Sequence, residues 1–291
     1  MATTVLRYRD DGRIRWGAVN GDRVAPLDGE WATTGAFLTE GGPEAARAAT
    51  DFSLDAGALE TLSPITADAQ VVCQGVNYRS HRIESGLDPD GQTFNMLFRK
   101  ASSCLSSGWS PIRKPAHVTL LDYEVELGLV VGAPITGPRT FTEADIGDVI
   151  AGLVIFDDVS ARDIQVPQGQ FFKGKSYRTF GPTGPWLVLV DGAELKRWRE
   201  LRLRLEVDGQ VRQEALAGDM VYGPAPTLTE LSGLMDLRPG DLIATGTPGG
   251  VALKAPSALA QKIGALLPEA TRWRLFAKGQ AKSERYLRVG Q

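Results

Sequence analysis

Two glutamates, Glu124 and Glu126, stand two residues apart in DYEVELGLVVG. Residues i and i+2 of a strand point to one face. Both carboxylates therefore project together, and Val125, Leu127 and Leu129 project to the other side. Two acids side by side on a strand of buried type are costly unless a cation or a base compensates. A hard divalent cation is the natural compensator. The plain alternative is a solvent-facing edge with two ordinary glutamates. Asp158 lies in FDDVSARD, directly after the apolar run 149–156. Acids at the end of a buried strand are well placed to line a site. Asp158 can thus supply a third carboxylate. The competing reading is a helix cap by Asp157 or Ser160, ahead of Arg162 and Asp163.

His81 and Glu84 are three apart in NYRSHRIE. On a helical turn they share a face. A carboxylate beside an imidazole fixes its tautomer and raises its basicity, which makes a general base for water. The alternative is a surface histidine beside a chance acid. His117 has no such neighbour and reads as structural or exposed. Residues 169–176, GQFFKGKS, satisfy the phosphate-loop pattern G-x-x-x-x-G-K-S. That loop needs a strand before it and a helix after it. Pro167 precedes it here, and YRTFGPTGP cannot open a long helix. Nucleotide binding is therefore rejected. Lys175 can instead approach an anionic substrate or polarise a carbonyl. In ATGTPGG, residues 244–250, small residues let a backbone N–H or the Thr247 hydroxyl approach a ligand. A tight turn is the plainer reading of that segment.

Scarce residues narrow the chemistry. The chain of 291 residues holds two histidines, His81 and His117, and two cysteines, Cys73 and Cys104. A histidine-rich or four-cysteine zinc site cannot be built, and a disulfide scaffold is excluded, although two cysteines allow one bridge. A metal must be held mainly by carboxylates, which points to Mg²⁺, Mn²⁺ or Ca²⁺. With 32 basic and 35 acidic residues the net charge is -3. Nothing in that balance calls for nucleic acid or an anionic membrane. The N-terminus lacks the apolar stretch of a secretory signal, and no run approaches about eighteen apolar residues. A reducing, cytoplasmic setting is expected.

The elements that must position these groups are short. Gly and Pro are frequent, at 33 and 17 residues, which favours tight turns over long helices. Residues 1–66 read as a small N-terminal domain. Strand-like pieces at 6–8, 13–19 and 23–26 are joined by Asp11-Gly12 and Asn20-Gly21 hairpin turns. Residues 36–40 and 55–62 look helical. Ser63-Pro64-Ile65-Thr66 marks the boundary, and residues 67–291 form the second domain. Strands are expected at 71–75, 122–132, 149–156, 186–190 and 242–245. Asp208-Gly209 signals a hairpin. Thr227-Leu-Thr-Glu230 reads as a capping box opening a helix that ends near Leu237. The fold class is α+β and β-rich.

Together GVNYRSHRIE, LDYEVELGLVVG, FDDVSARDIQ, FKGKSYRTFGPTGP and LRPGDLIATGTPGGV resemble the fumarylacetoacetate hydrolase family in its bacterial form. The likeness runs from about residue 71 to 250. It implies a mixed β-roll or distorted barrel and a homodimer. It implies that Glu124, Glu126 and Asp158 hold Mg²⁺ or Mn²⁺, with Ca²⁺ as a substitute. His81 and Glu84 match the water-activating dyad of a lid, and Lys175 matches a substrate-polarising lysine. Lys100, Gln165 and Thr247 match substrate contacts. Arg178 stands where relatives often carry Asp, and is either a candidate partner for a substrate carboxylate or a surface change. The implied reaction is hydrolysis of a carbon–carbon bond in a 2,4-dioxo acid of acylpyruvate or fumarylpyruvate type. Isomerisation or decarboxylation of a 2-oxo acid on the same scaffold is the alternative. A non-catalytic binding module is a further one. From about residue 252 the family pattern is poorly matched.

Overall fold

The computed structural model describes residues 2–91 and 93–291, and at 258, 259 and 261 the backbone alone. Among the described residues, most strands join one sheet. Its main path runs Leu54–Asp55, Arg23–Pro26, Arg13–Asn20, Thr3–Asp10, Trp186–Leu189, Ile150–Asp157, Val125–Val131, Leu242–Ala244, Val71–Gly75, Met96–Lys100. The two end strands do not pair, so the β-rich sheet is open rather than a closed barrel. The leading segment enters the same sheet, because Thr3–Asp10 pairs antiparallel with Trp186–Leu189.

Hydrophobic patterning explains the order. In Ile150–Asp157, Ile150, Gly152, Val154 and Phe156 are buried, while the residues between them are partly or fully exposed. That is the period of a strand with one covered face. Val125–Val131 is buried at every position, as a central strand covered on both faces must be. Its Leu127 and Leu129 pack with Trp198 and Leu228 on one side. Val130 packs with Val154 and Phe156 on the other. The Asp208-Gly209 turn joins Arg202–Val207 to Gln210–Leu216, as expected.

Three local expectations fail for physical reasons. Residues 55–62 are not a helix. They form Leu54–Asp55, one tight turn at Ala56–Ala58 and the strand Glu60–Leu62. Pairing of that strand with Thr3–Asp10 outweighs its weak helical preference. Thr227 does not cap a helix. The helix Pro224–Leu234 starts earlier, with Pro224 in the first turn, where its fixed φ is favourable. Thr227 lies inside it, and its hydroxyl accepts from Gln74 at 3.0 Å. Leu237 lies outside it and exchanges backbone hydrogen bonds with Ile135.

A buried carboxylate centre

Glu124 and Glu126 flank Val125 at the head of the central strand, and Asp158 follows the neighbouring strand. Register places Val125 opposite Asp157. The Asp158 N–H donates to the Glu124 carbonyl at 2.9 Å. Two adjacent strand ends thus hold three acids together. One carboxylate oxygen from each lies within 4.8 Å of the others, and all three residues are buried. The cap reading of this segment is overturned. The helix Arg162–Gln168 begins after Ala161 with no side-chain cap. Asp157 instead accepts the Glu124 N–H at 2.8 Å.

Three cations surround the acids. Lys175 donates to Glu124 Oε2 at 2.8 Å, Asp158 Oδ2 at 2.6 Å and Ser160 at 2.9 Å. Lys100 donates to Asp158 and, at 2.7 Å, to the Phe180 carbonyl. Arg162 donates to Glu124 and, at 2.8 Å, to Asp122. Glu126 differs. Its carboxylate accepts the Gly246 N–H at 2.9 Å and no side-chain cation among the described residues.

Electrostatics follow from this unequal sharing. Burial pushes Glu124 up, but Arg162, Lys175 and His81 outweigh it and hold it well below the usual carboxylate range. Burial raises Glu126 well above that range, and Asp158 and Glu124 add to the rise. Burial lowers Lys175, yet Asp158 and Glu124 more than reverse this and keep it charged. Lys100 is raised in the same way by Asp158, against burial.

His81 lies on the short helix Arg79–Glu84 and is 8% exposed. Burial lowers its pKa, Arg162 and Lys175 add to this, and Glu124 and Glu84 oppose it. The imidazole is therefore kept neutral. Its Nδ1 is buried with no hydrogen-bond partner among the described residues. Glu84 is exposed, and its carboxylate accepts the Gly250 N–H at 2.7 Å. Ser80 accepts the Gly249 N–H at 2.9 Å. The helix is thus tied to the 247–250 loop, and the expected dyad is not hydrogen-bonded.

The structure brings Glu124, Glu126, Asp158, Lys175 and Lys100 together. The Lys100 ammonium, expected to contact substrate, is engaged by Asp158 and the Val159 and Phe180 carbonyls. The Thr247 hydroxyl is also occupied, donating to Val125 O at 3.0 Å and accepting from Gln213 at 2.7 Å. Gln165 is buried and accepts from Arg162 at 2.8 Å. Arg178 is exposed and makes no ion pair with a described residue. His117 is exposed and meets the Tyr177 hydroxyl at 2.9 Å. Arg162 and Asp122 were missed as site residues. A buried arginine requires acidic partners, and Asp122 and Glu124, two apart, were a readable sign of one.

The donor set suits a hard divalent cation. Three carboxylates offer only oxygen. A dication beside Glu126 would supply the directly bound cation that its carboxylate does not have among the described side chains.

Residues 70–284 match the family described as fumarylacetoacetate (FAA) hydrolase C-terminal. Residues 4–43 match the one described as Rv2993c-like, N-terminal. Oxaloacetate tautomerase YisK of Bacillus subtilis is 38% identical over 182 residues, 62% of this chain and 59% of that protein. The chain thus spans less than two-thirds of that relative's length. The 2-hydroxyhepta-2,4-diene-1,7-dioate isomerase of Mycobacterium marinum superposes with TM-score 0.67 at 29% identity, covering 86% of this chain and 88% of that one. Fumarylacetoacetate hydrolase of Exiguobacterium antarcticum gives TM-score 0.67 at 28% identity, with 86% and 88% covered. The family match takes in every acid and lysine of the buried centre, and the chain belongs to the fumarylacetoacetate hydrolase family.

Proposed function

We propose that this chain is a metal-dependent hydrolase cleaving a carbon–carbon bond in a 2,4-dioxo acid of acylpyruvate or fumarylpyruvate type. The observation that carries the reading is the buried triad of Glu124, Glu126 and Asp158 with Lys175 against two of its members. These three acids would hold Mg²⁺ or Mn²⁺, with Ca²⁺ as a substitute. Such an ion, when bound, supplies Lewis acidity to the oxo-acid end of the substrate. Lys175 keeps its charge beside the site and stabilises negative charge developing on a substrate oxygen. Neutral His81 takes the proton from water that attacks the distal carbonyl. The new carbon–oxygen bond forms at that carbonyl, the bond to the pyruvate-type fragment breaks with its electron pair leaving as an enolate, and the proton held by His81 is returned to that enolate carbon.

A second reading is keto–enol tautomerisation or isomerisation of a 2-oxo acid. Two observations favour it: the likeness to an oxaloacetate tautomerase, and the placement of Glu84 on Gly250 rather than on His81. The two reactions separate cleanly in ¹⁸O-labelled water. Hydrolysis places one labelled oxygen in the released acid and yields two products. An intact carbon skeleton with no label incorporated by bond cleavage would reject hydrolysis in favour of the second reading.

A further inference from the structure

Asp122 lies in the two-residue strand Leu121–Asp122 and is fully buried. Its Oδ1 accepts the N–H of Tyr123 at 2.9 Å and of Ala252 at 2.7 Å. Its Oδ2 accepts the N–H of Leu253 at 3.0 Å and Arg162 Nε at 2.8 Å. Arg162 is 3% exposed. Its other edge reaches Gln165 Oε1 at 2.8 Å and Glu124 Oε1. One buried guanidinium therefore lies between two acids, one inside the triad and one outside it.

An arginine keeps its charge at every accessible pH. Arg162 is thus a permanent rival to any cation seeking Glu124. Buried without a second acid, it would be neutralised by Glu124 alone. Asp122 supplies that second acid. It also holds the Nε edge, so that only the terminal nitrogens face Glu124 and Gln165. We propose that Asp122 is a positioning residue for Glu124: by sharing the charge of Arg162 it leaves the Glu124 carboxylate available to a divalent ion. The inference rests on reading the triad as a cation site.

The test is Mn²⁺ affinity of the intact chain, titrated by electron paramagnetic resonance without substrate. Asp122→Asn keeps size and one acceptor oxygen and removes the charge. Its Kd for Mn²⁺ is expected to rise by about tenfold or more, the scale of outer-sphere effects on metal sites. Arg162→Gln removes the rival and is expected to bind Mn²⁺ at least as tightly as the unaltered chain. In the double variant the loss disappears, to within about threefold of Arg162→Gln. Unchanged affinity in Asp122→Asn would overturn the proposal. So would a loss that persists in the double variant, since an anchor for residues 252–253 alone predicts that result. Should Asp122→Asn not fold, Arg162→Gln decides: binding about tenfold weaker than in the unaltered chain contradicts the rivalry. An unaltered chain that binds no Mn²⁺ overturns the metal reading together with the inference. Tight binding that ignores Asp122 overturns the inference alone.

Discussion

The Glu84 carboxylate accepts the Gly250 N–H at 2.7 Å, and it is not hydrogen-bonded to His81 on its own helix. Glu84 thus ties the His81 helix to the loop, and in the proposed mechanism His81 would take its proton with no carboxylate hydrogen-bonded to Nδ1. Glu84→Gln retains an oxygen that can accept the same N–H. It should lose at least about tenfold less turnover than His81→Ala, whose loss is expected near 100-fold. Steady-state rates of the two variants make the comparison. Equal losses would restore Glu84 to a proton-transfer role.

Gly250 carries φ of +108°, and a Cβ there would lie 2.0 Å from the Arg212 carbonyl oxygen. Neither the backbone angle nor the space admits a side chain. Gly250→Ala should destabilise the chain by about 2 kcal/mol or more. A denaturant midpoint unchanged from the parent would contradict the packing described for this loop.

Asp157 gives a pH signature. Burial raises its pKa to about 7, against the Glu124 N–H bond that lowers it. Unfolded, the same group loses its proton near pH 4, its approximate free value. Between those values the unfolded chain binds fewer protons than the folded one. The contribution of Asp157 is therefore fully present below about pH 4 and is lost as pH rises through about 7. Asp157→Asn cannot ionise and keeps an acceptor for Glu124. Its melting temperature relative to the parent should be near parity at low pH and rise steadily through this window. A difference that stays constant with pH would count against the assignment.

Both thiols are protected. Burial raises Cys73, with Asp158 and Glu126 adding to the rise, and burial raises Cys104 against the pull of Lys100. The thiolate is the reactive form. Iodoacetamide should leave the native chain unmodified and add to both cysteines in guanidinium, as mass spectrometry would read. Alkylation of either in the folded chain would contradict their burial.

Much of the centre was legible from local rules. The i, i+2 spacing set Glu124 and Glu126 on one face, and the apolar run before Asp158 announced a strand end at the same level. The cations were harder to place. Lys100 meets Asp158 across 58 residues of sequence and Arg162 meets Glu124 across 38, and only the strand register decides such pairings. Glu84 shows the same limit. Helical spacing put it on the face of His81, but its acceptor oxygen serves a peptide 166 residues away. Residues 55–62 and Thr227 were misread because cross-strand pairing and a proline in the first helical turn overrode local preference. The open sheet in place of a barrel depends on which edge strands fail to meet, and no short-range pattern encodes that.

In the proposed function the buried triad is a working divalent-cation site for 2-oxo acid chemistry. The direct measurement is turnover of an acylpyruvate by the chelated chain, before and after Mn²⁺ is restored, with pyruvate as the product followed. Turnover should fall by about 100-fold on chelation and return with Mn²⁺, as loss of a Lewis acid worth several kcal/mol requires. Full turnover by the chelated chain would contradict the claim.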